Sequence, residues 1–253
     1  MNPVLVAAGV NRNFGAVIAA ADINVAIERG SVVGLIGANG AGKTTFVNMV
    51  TGYLKPTNGS IRFDGHELTR LEPRRVTQLG VSRSFQIPQL FNSLSVRENL
   101  LVAVGIVAAA AHAWAHADLT PERAGGATDE MLERFGLAAY RDRPAGLLPE
   151  GVRKLLDVAM GLVTRPRLLL LDEPTSGVSA DEKFAIMDLV MAAVRGAGVT
   201  VLFVEHDMDV VARYAGRVIA FADGRIIADG APDGVLRDPE VRKFVIGEAD
   251  AHA

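Results

Sequence analysis

The chain contains no cysteine. That excludes disulfides and thiolate-bound metals, and it is compatible with a reducing compartment. There is no excess of positive charge either. Lys and Arg number 26 against 29 Asp and Glu, for a formal net charge of −3 and a pI near 6.0. That balance gives no sign of a polyanion-binding surface, so nucleic acid is not an expected partner. A long hydrophobic run is also missing. The longest apolar stretch runs from Leu100 to about Ala111, contains Gly105 and is rich in alanine. A membrane span needs about 20 apolar residues. The start, Met1-Asn2-Pro3-Val4, lacks the charged and apolar regions of a signal peptide. Any membrane role is therefore expected to come through a partner. No internal repeat or long low-complexity linker is visible. What remains is ordinary for a soluble protein: 253 residues, 49% hydrophobic and 22% charged. That is enough for one large domain, or for a core with a smaller lobe.

The most informative segment is Gly37-Ala38-Asn39-Gly40-Ala41-Gly42-Lys43-Thr44. It fits G-x-x-x-x-G-K-[ST], the phosphate-binding P-loop. Val32 to Ile36 before it reads as a buried strand, and Thr45 to Tyr53 after it reads as a helix. Strand, glycine loop and helix start together make an anion cradle, with backbone N–H groups and the positive helix end facing the phosphates. The glycines let the backbone close around them. Lys43 is expected to reach the β- and γ-phosphates of a bound nucleotide, and the Thr44 hydroxyl to ligate Mg²⁺.

Strand and helix signals alternate along the rest of the chain. Val4 to Val10, Ala21 to Ile27 and Gly59 to Phe63 read as strands. A short helix opens at Glu72-Pro73 and closes at Gly80, followed by a strand from Val81 to Phe85. From Pro88 to about Gly161 the pattern is mostly helical, with helices at Val96 to Ala111, Asp129 to Phe135 and from near Pro149; Ala115 to Ala127 reads as loop. Leu168 to Leu171 is an apolar strand. Ser179 to Glu182 forms a capping box for a helix to about Arg195. Val199 to Val204 is a strand, Met208 to Tyr214 a helix, and Arg217 to Ala228 a hairpin across Asp223-Gly224. The pattern implies an α/β fold: a P-loop NTPase core with a mainly parallel sheet, an antiparallel β subdomain, and a helical insertion at about 88–161.

Several strands end in chemistry-bearing residues. Leu168-Leu169-Leu170-Leu171-Asp172-Glu173 is a Walker B pattern. Asp172 at the carboxyl edge of the sheet would hold Mg²⁺, and Glu173 would polarise an attacking water. Val201 to Val204 leads into Glu205-His206-Asp207, which puts His206 in reach of a γ-phosphate. Ser84-Phe85-Gln86 ends another strand; Gln86 is a candidate sensor of metal and lytic water, followed by a mobile apolar segment from Ile87 to Phe91. Phe14 either stacks on adenine or packs in the core.

P-loop, glutamine loop, Walker B with a following glutamate, and a histidine after a strand occur in this order. In that respect the chain resembles the ATP-binding subunit of an ABC transporter over nearly its whole length. Gly34 through Thr45, Val204 to Met208 and the ending Ile246-Gly247-Glu248-Ala249 look like the importer group for branched-chain amino acids. The resemblance implies that Phe14, Gly37, Asn39, Gly40, Ala41, Gly42, Lys43, Thr44 and Thr45 contact ATP. It implies that Glu173, His206, Gln86 and Lys43 serve hydrolysis, and that Thr44, Gln86 and Asp172 hold the metal. It also implies two cassettes sandwiching two ATPs, two permease subunits docking near Gln86 and the helical insertion, an external solute-binding protein, and a place at the cytoplasmic face of the membrane. One motif departs. The family signature, Leu-Ser-Gly-Gly-Gln or Leu-Ser-Tyr-Gly-Gln, aligns with Leu148-Pro149-Glu150-Gly151-Val152, and the Asp-loop pattern aligns with Ser176-Gly177-Val178-Ser179, without its aspartate. The signature acts in trans, so a heterodimer with a related cassette is favoured over a homodimer.

Taken together, the chain is expected to be an ATPase that drives import. Urea, other amino acids, carboxylates and lipid export remain open alternatives for the substrate, which lies with the partners. A regulatory cassette that binds ATP with weak hydrolysis, motivated by the altered signature, and a soluble non-transport ABC ATPase are the competing readings.

Overall fold

A computed structural model of the chain describes residues 3–84, 88–112 and 121–247. The chain divides into two compact units. One comprises Met1–Val81 and Thr200–Ala253, the other Ser82–Val199.

In the first unit, β1 (Pro3–Phe14) and β2 (Val17–Glu28) form an antiparallel hairpin. β1 also pairs with β4 (Asn58–Phe63), and β4 with the short β5 (His66–Glu67). Alternation sets the buried face. Ala21, Ile23, Val25 and Ile27 of β2 are buried while Asp22 and Asn24 between them are exposed. The central element of the unit is β3 (Val32–Gly37), which runs parallel to both β8 (Thr200–Val204) and β9 (Arg217–Ala222). Its continuous apolar run fits burial on both faces. β10 (Arg225–Gly230) returns antiparallel along β9. The turn between them places Asp223 at φ 47° and Gly224 at φ 76°, as a two-residue hairpin requires. The Arg217 guanidinium grips both oxygens of Asp229 at 2.6 Å and the Ala26 carbonyl at 2.6 Å. The hydrogen bond to Asp229 raises its pKa. Helices α1 (Lys43–Val50), α2 (Pro73–Gln78), α7 (Met208–Tyr214) and α8 (Pro232–Arg237) also belong to this unit. A Cβ at Gly34 would lie 3.3 Å from Val211 Cγ1, which is how closely α7 approaches β3.

In the second unit, the last residues of β6 (Val81–Arg83) run beside β7 (Leu168–Asp172), and the Ser84 N–H donates to the Leu170 carbonyl at 2.9 Å. The helices are α3 (Val96–His112), α4 (Pro121–Arg134), α5 (Glu150–Val163) and α6 (Ala180–Ala197). α5 turns Leu155, Val158, Ala159 and Leu162 inward at helical spacing. Gly161 lets it approach β7, since a Cβ there would lie 3.6 Å from Leu169 Cδ1.

Three expectations change. α4 starts at Pro121 and not near Asp129, so the loop expected through Ala127 ends earlier. Proline fits a first helical turn, the Thr128 hydroxyl back-bonds to Ala124, and tertiary packing outweighs the poor propensity of Gly125-Gly126. The strand expected from Val81 to Phe85 is assigned only through Arg83; Phe85 lies outside the described residues. Ser179 does precede α6, but its hydroxyl donates to the Glu182 carboxylate at 2.7 Å and does not cap a backbone N–H. The reciprocal capping box sits instead at α3. There the Ser95 N–H donates to Glu98 at 2.7 Å, and the Glu98 N–H donates to the Ser95 hydroxyl at 3.2 Å. Among the described residues, no helix is long and apolar enough to cross a membrane.

Candidate nucleotide site

The P-loop leaves the carboxyl end of β3. Gly37 has φ 156°, and a Cβ there would meet the Phe221 carbonyl at 2.6 Å. Gly42 has φ 103°, and its Cβ would meet the Ala19 carbonyl at 2.8 Å and Gly224 Cα at 3.1 Å. Neither position tolerates a side chain, for reasons of both space and backbone angle. The β9–β10 turn props the loop directly, because the Gly224 N–H donates to the Ala41 carbonyl at 3.0 Å. Ala38, Asn39 and Gly40 are exposed at the rim. Gly42 is the N-cap of α1 and brings no side-chain cap, so the first-turn N–H groups are available to an anion. Thr44 is exposed there and Thr45 partly so. Lys43 is 5% exposed. Its ammonium folds over the loop, donating to the carbonyls of Gly37 at 2.5 Å and Ala38 at 3.0 Å.

His206 shares this edge. Leu35 of β3 is in register with Val204 of β8, and the Glu205 N–H donates to the Leu35 carbonyl. The chain therefore leaves β8 next to the start of the P-loop. His206 is exposed, while Glu205 behind it is buried and accepts from the His206 N–H at 3.1 Å. Asp207 caps α7, accepting from the N–H groups of Asp209 and Val210. Phe14, at the end of β1, is 49% exposed, with the Arg12 guanidinium 4.5 Å from its ring centroid. Core packing, the alternative expected for this ring, does not hold. Val17 and Ile18 beside it are also exposed.

The second unit carries the acidic residues. Asp172 ends β7, 8% exposed, and Arg83 Nη2 donates to it at 2.5 Å. Glu173 follows in a left-handed conformation, φ 51°. Leu148 is buried, and Pro149 and Glu150 are exposed. Pro149 is the N-cap of α5. The Glu150 carboxylate lies 3.8 Å from Arg153. Gly151 has a packing role, since a Cβ there would come within 2.7 Å of Ile186 Cδ1 and 3.8 Å of Val178 Cγ1. Val152 is half-buried. Gly177, φ 71°, lies next to Glu150. Gln86, Glu248 and Ala249 lie outside the described residues, as does Ile87. Farther along the segment expected to be mobile, the Gln89 N–H donates to Asp157, and Phe91 exchanges hydrogen bonds with Asn99.

The sequence reading missed two residues that contact this acidic segment: Arg83, on Asp172, and Lys154, whose ammonium donates to the Glu173 carbonyl. Lys154 left a trace: it is a charged residue four before Val158 on the apolar stripe of α5. Arg83 left none, because β6 is too short for a periodicity to place its side chain.

A family model for ABC transporters matches residues 20–176, more than half of the chain. The chain belongs to the ABC transporter ATPase family. BraF of Pseudomonas aeruginosa, a high-affinity branched-chain amino acid transport ATP-binding protein, is 35% identical to this cassette, covering 98% of it and 99% of BraF. LivG of Escherichia coli K12, of the same description, is 33% identical with the same coverage. Among solved structures, the ADP conformation of MJ1267, an ATP-binding cassette of an ABC transporter, superposes with a TM-score of 0.85 at 31% identity. That match covers 98% of this cassette and 100% of MJ1267. CbiO1 of Clostridium perfringens, part of the CbiONQ transporter complex, gives 0.82 at 30% identity, covering 96% and 94%. The chain is thus an ABC ATPase, a nucleotide-using enzyme.

Proposed function

We propose that this cassette hydrolyses ATP to energise an importer of branched-chain amino acids or related small polar solutes. The observation that carries the reading is the P-loop. Its two crowded glycines, uncapped helix start and buried Lys43 form a phosphate cradle, in a chain matched end to end by BraF and LivG. The described residues between about 88 and 161 would be the helical insertion within a single ABC ATPase domain.

In this reading the first-turn N–H groups of α1 and the Lys43 ammonium bind the β- and γ-phosphates. Phe14, presented with Arg12, stacks on adenine. Glu173 accepts the proton of the attacking water, and His206 contacts the γ-phosphate. Thr44 and Asp172 supply hard oxygen donors, as Mg²⁺ prefers. Among the described residues, no cluster of three His, Asp or Glu side chains could hold a metal by itself. Mg²⁺ would neutralise charge developing on the transferred phosphoryl group. The buried Asp172 carboxylate already attracts a cation, the Arg83 guanidinium.

The cassette would sit at the cytoplasmic face of the membrane, held by two permease subunits fed by an external solute-binding protein. We favour a heterodimer with a related cassette. At Pro149 the signature offers neither hydroxyl nor N–H, and exposed Glu150 brings negative charge. The same feature supports the second reading, a regulatory cassette with weak hydrolysis. Purifying the complex from membranes and identifying its subunits tests the assembly. Lys43→Ala is expected to abolish tight ATP binding or hydrolysis in that complex, since each charge-assisted hydrogen bond lost contributes about 1.5–3 kcal/mol. Unchanged ATPase activity would remove the P-loop assignment.

A further inference from the structure

Lys154 is 5% exposed, its ammonium inside the second unit. A buried ammonium is costly unless its donors are satisfied. Here it donates to the Glu173 carbonyl at 2.7 Å and the Ser176 hydroxyl at 2.8 Å. The Glu173 carbonyl also accepts from the Ser176 N–H at 3.1 Å. Lys154 thus spans both ends of the turn by which the chain leaves β7. Glu173 has φ 51° in that turn, an unfavourable conformation for a residue with a Cβ, which persists where surrounding contacts enforce it. Holding the carbonyl fixes the peptide plane after Glu173.

The other end of the link is α5. Lys154 lies one helical turn beyond Glu150, so the two project from the same face of the helix. The segment Leu148–Val152 at the start of α5 is the one aligned with the signature, which acts on the second cassette's nucleotide. A short helix segment is stiff, so displacement of its first turn carries Lys154 along.

We propose that Lys154 is a positioning residue that ties the signature helix to the backbone of Glu173. Through it, phosphate contact at the start of α5 sets the pose of this cassette's own water-activating carboxylate. The inference rests on the reading of Glu173 as that carboxylate.

The test is a double-mutant cycle in the assembled complex, with ATP affinity, KM and kcat measured for each variant. Lys154→Met keeps the length of the side chain and removes the ammonium. It is expected to lower kcat by about 10- to 100-fold, the scale of a misplaced catalytic group. ATP affinity and KM should stay within about twofold, because the P-loop is untouched. In the Glu173→Gln background the same change should cost less than about twofold, since the group that Lys154 positions is already lost. Equal kcat losses in both backgrounds, or an unchanged kcat, overturn the proposal. If Lys154→Met fails to fold, Ser176→Ala removes one acceptor from the lysine and leaves the core intact. Its smaller kcat loss should likewise vanish beside Glu173→Gln, and persistence of that loss overturns the proposal. Normal hydrolysis by Glu173→Gln alone would instead identify the reading of Glu173 as the part that failed.

Discussion

Asp172 and Arg83 illustrate how much rests on single residues here. The pair is buried on both sides, with side-chain exposures of 10% and 8%. Removing one partner strands the other charge in a poor solvent. Arg83→Met is therefore expected to destabilise the protein by about 3–5 kcal/mol, read as a fall in the urea midpoint at constant slope. Arg83→Met combined with Asp172→Asn should recover most of that loss, because no net charge then remains buried. If the single and double variants unfold alike, the pair is not what stabilises this corner. At this scale the sequence was legible where spacing itself encodes the chemistry. The crowding at Gly37 and Gly42 and the burial of Lys43 follow from a pattern whose spacing carries its own physical reason. Arg83 and Lys154 act through partners far away in the chain, at positions 172, 173 and 176. No local pattern announces such a pairing.

Helix ends show the same divide among elements. The strong Ser-x-x-Glu signal at Ser179 led to a hydroxyl–carboxylate contact, whereas Ser95 and Glu98 form the reciprocal box at α3. The choice is made by local backbone geometry, which residue identity does not fix. β3, β8 and the β9–β10 hairpin were readable, because buried apolar runs and an Asp-Gly turn are strong local signals. The extent of α4 was not, since its glycines argue against a helix that packing imposes. The α3 cap has a pH signature. Hydrogen bonds from the Ser95 backbone and then its side chain hold the Glu98 carboxyl below its ordinary value of 4.5. A carboxyl held low binds its proton less readily folded than unfolded, so unfolding in acid takes up a proton. The stabilisation from Glu98 is therefore fully present above pH 4.5 and is lost as the pH falls through the depressed value. Thermal melts of Glu98→Gln should show a smaller acid-side decline in Tm than the unaltered protein. Parallel pH profiles would contradict this.

For the whole molecule, the informative contrast is between an unaltered P-loop and an altered signature. In a heterodimer, a partner with an ordinary signature would complete the site on Lys43, Asp172 and Glu173. The partner's own P-loop would instead face Pro149 and Glu150. Glu173→Gln is then expected to slow ATP hydrolysis by about 10²–10⁴-fold at that site and to remove most of the ATPase activity of the complex. The equivalent change in the partner should remove less. Steady-state rates of the two single variants in the reconstituted complex, with single-turnover measurements to separate coupled sites, make the comparison. Equal losses at uncoupled sites, or a fully active homodimer, would refute the asymmetry.

The prop beneath the P-loop also sets an order of events during synthesis. The loop is encoded well before the Phe221 carbonyl and Gly224 that shape its floor, and before both strands flanking β3. Until that later stretch has been made, β3 is a buried-type strand with neither neighbour, and the loop has no wall to close against. At about 5–20 residues per second the interval is roughly 10–40 s. The nascent chain spends that time with an apolar strand to shield. If the loop binds ATP as proposed, the nucleotide is expected to assist only the folding that follows synthesis of Gly224.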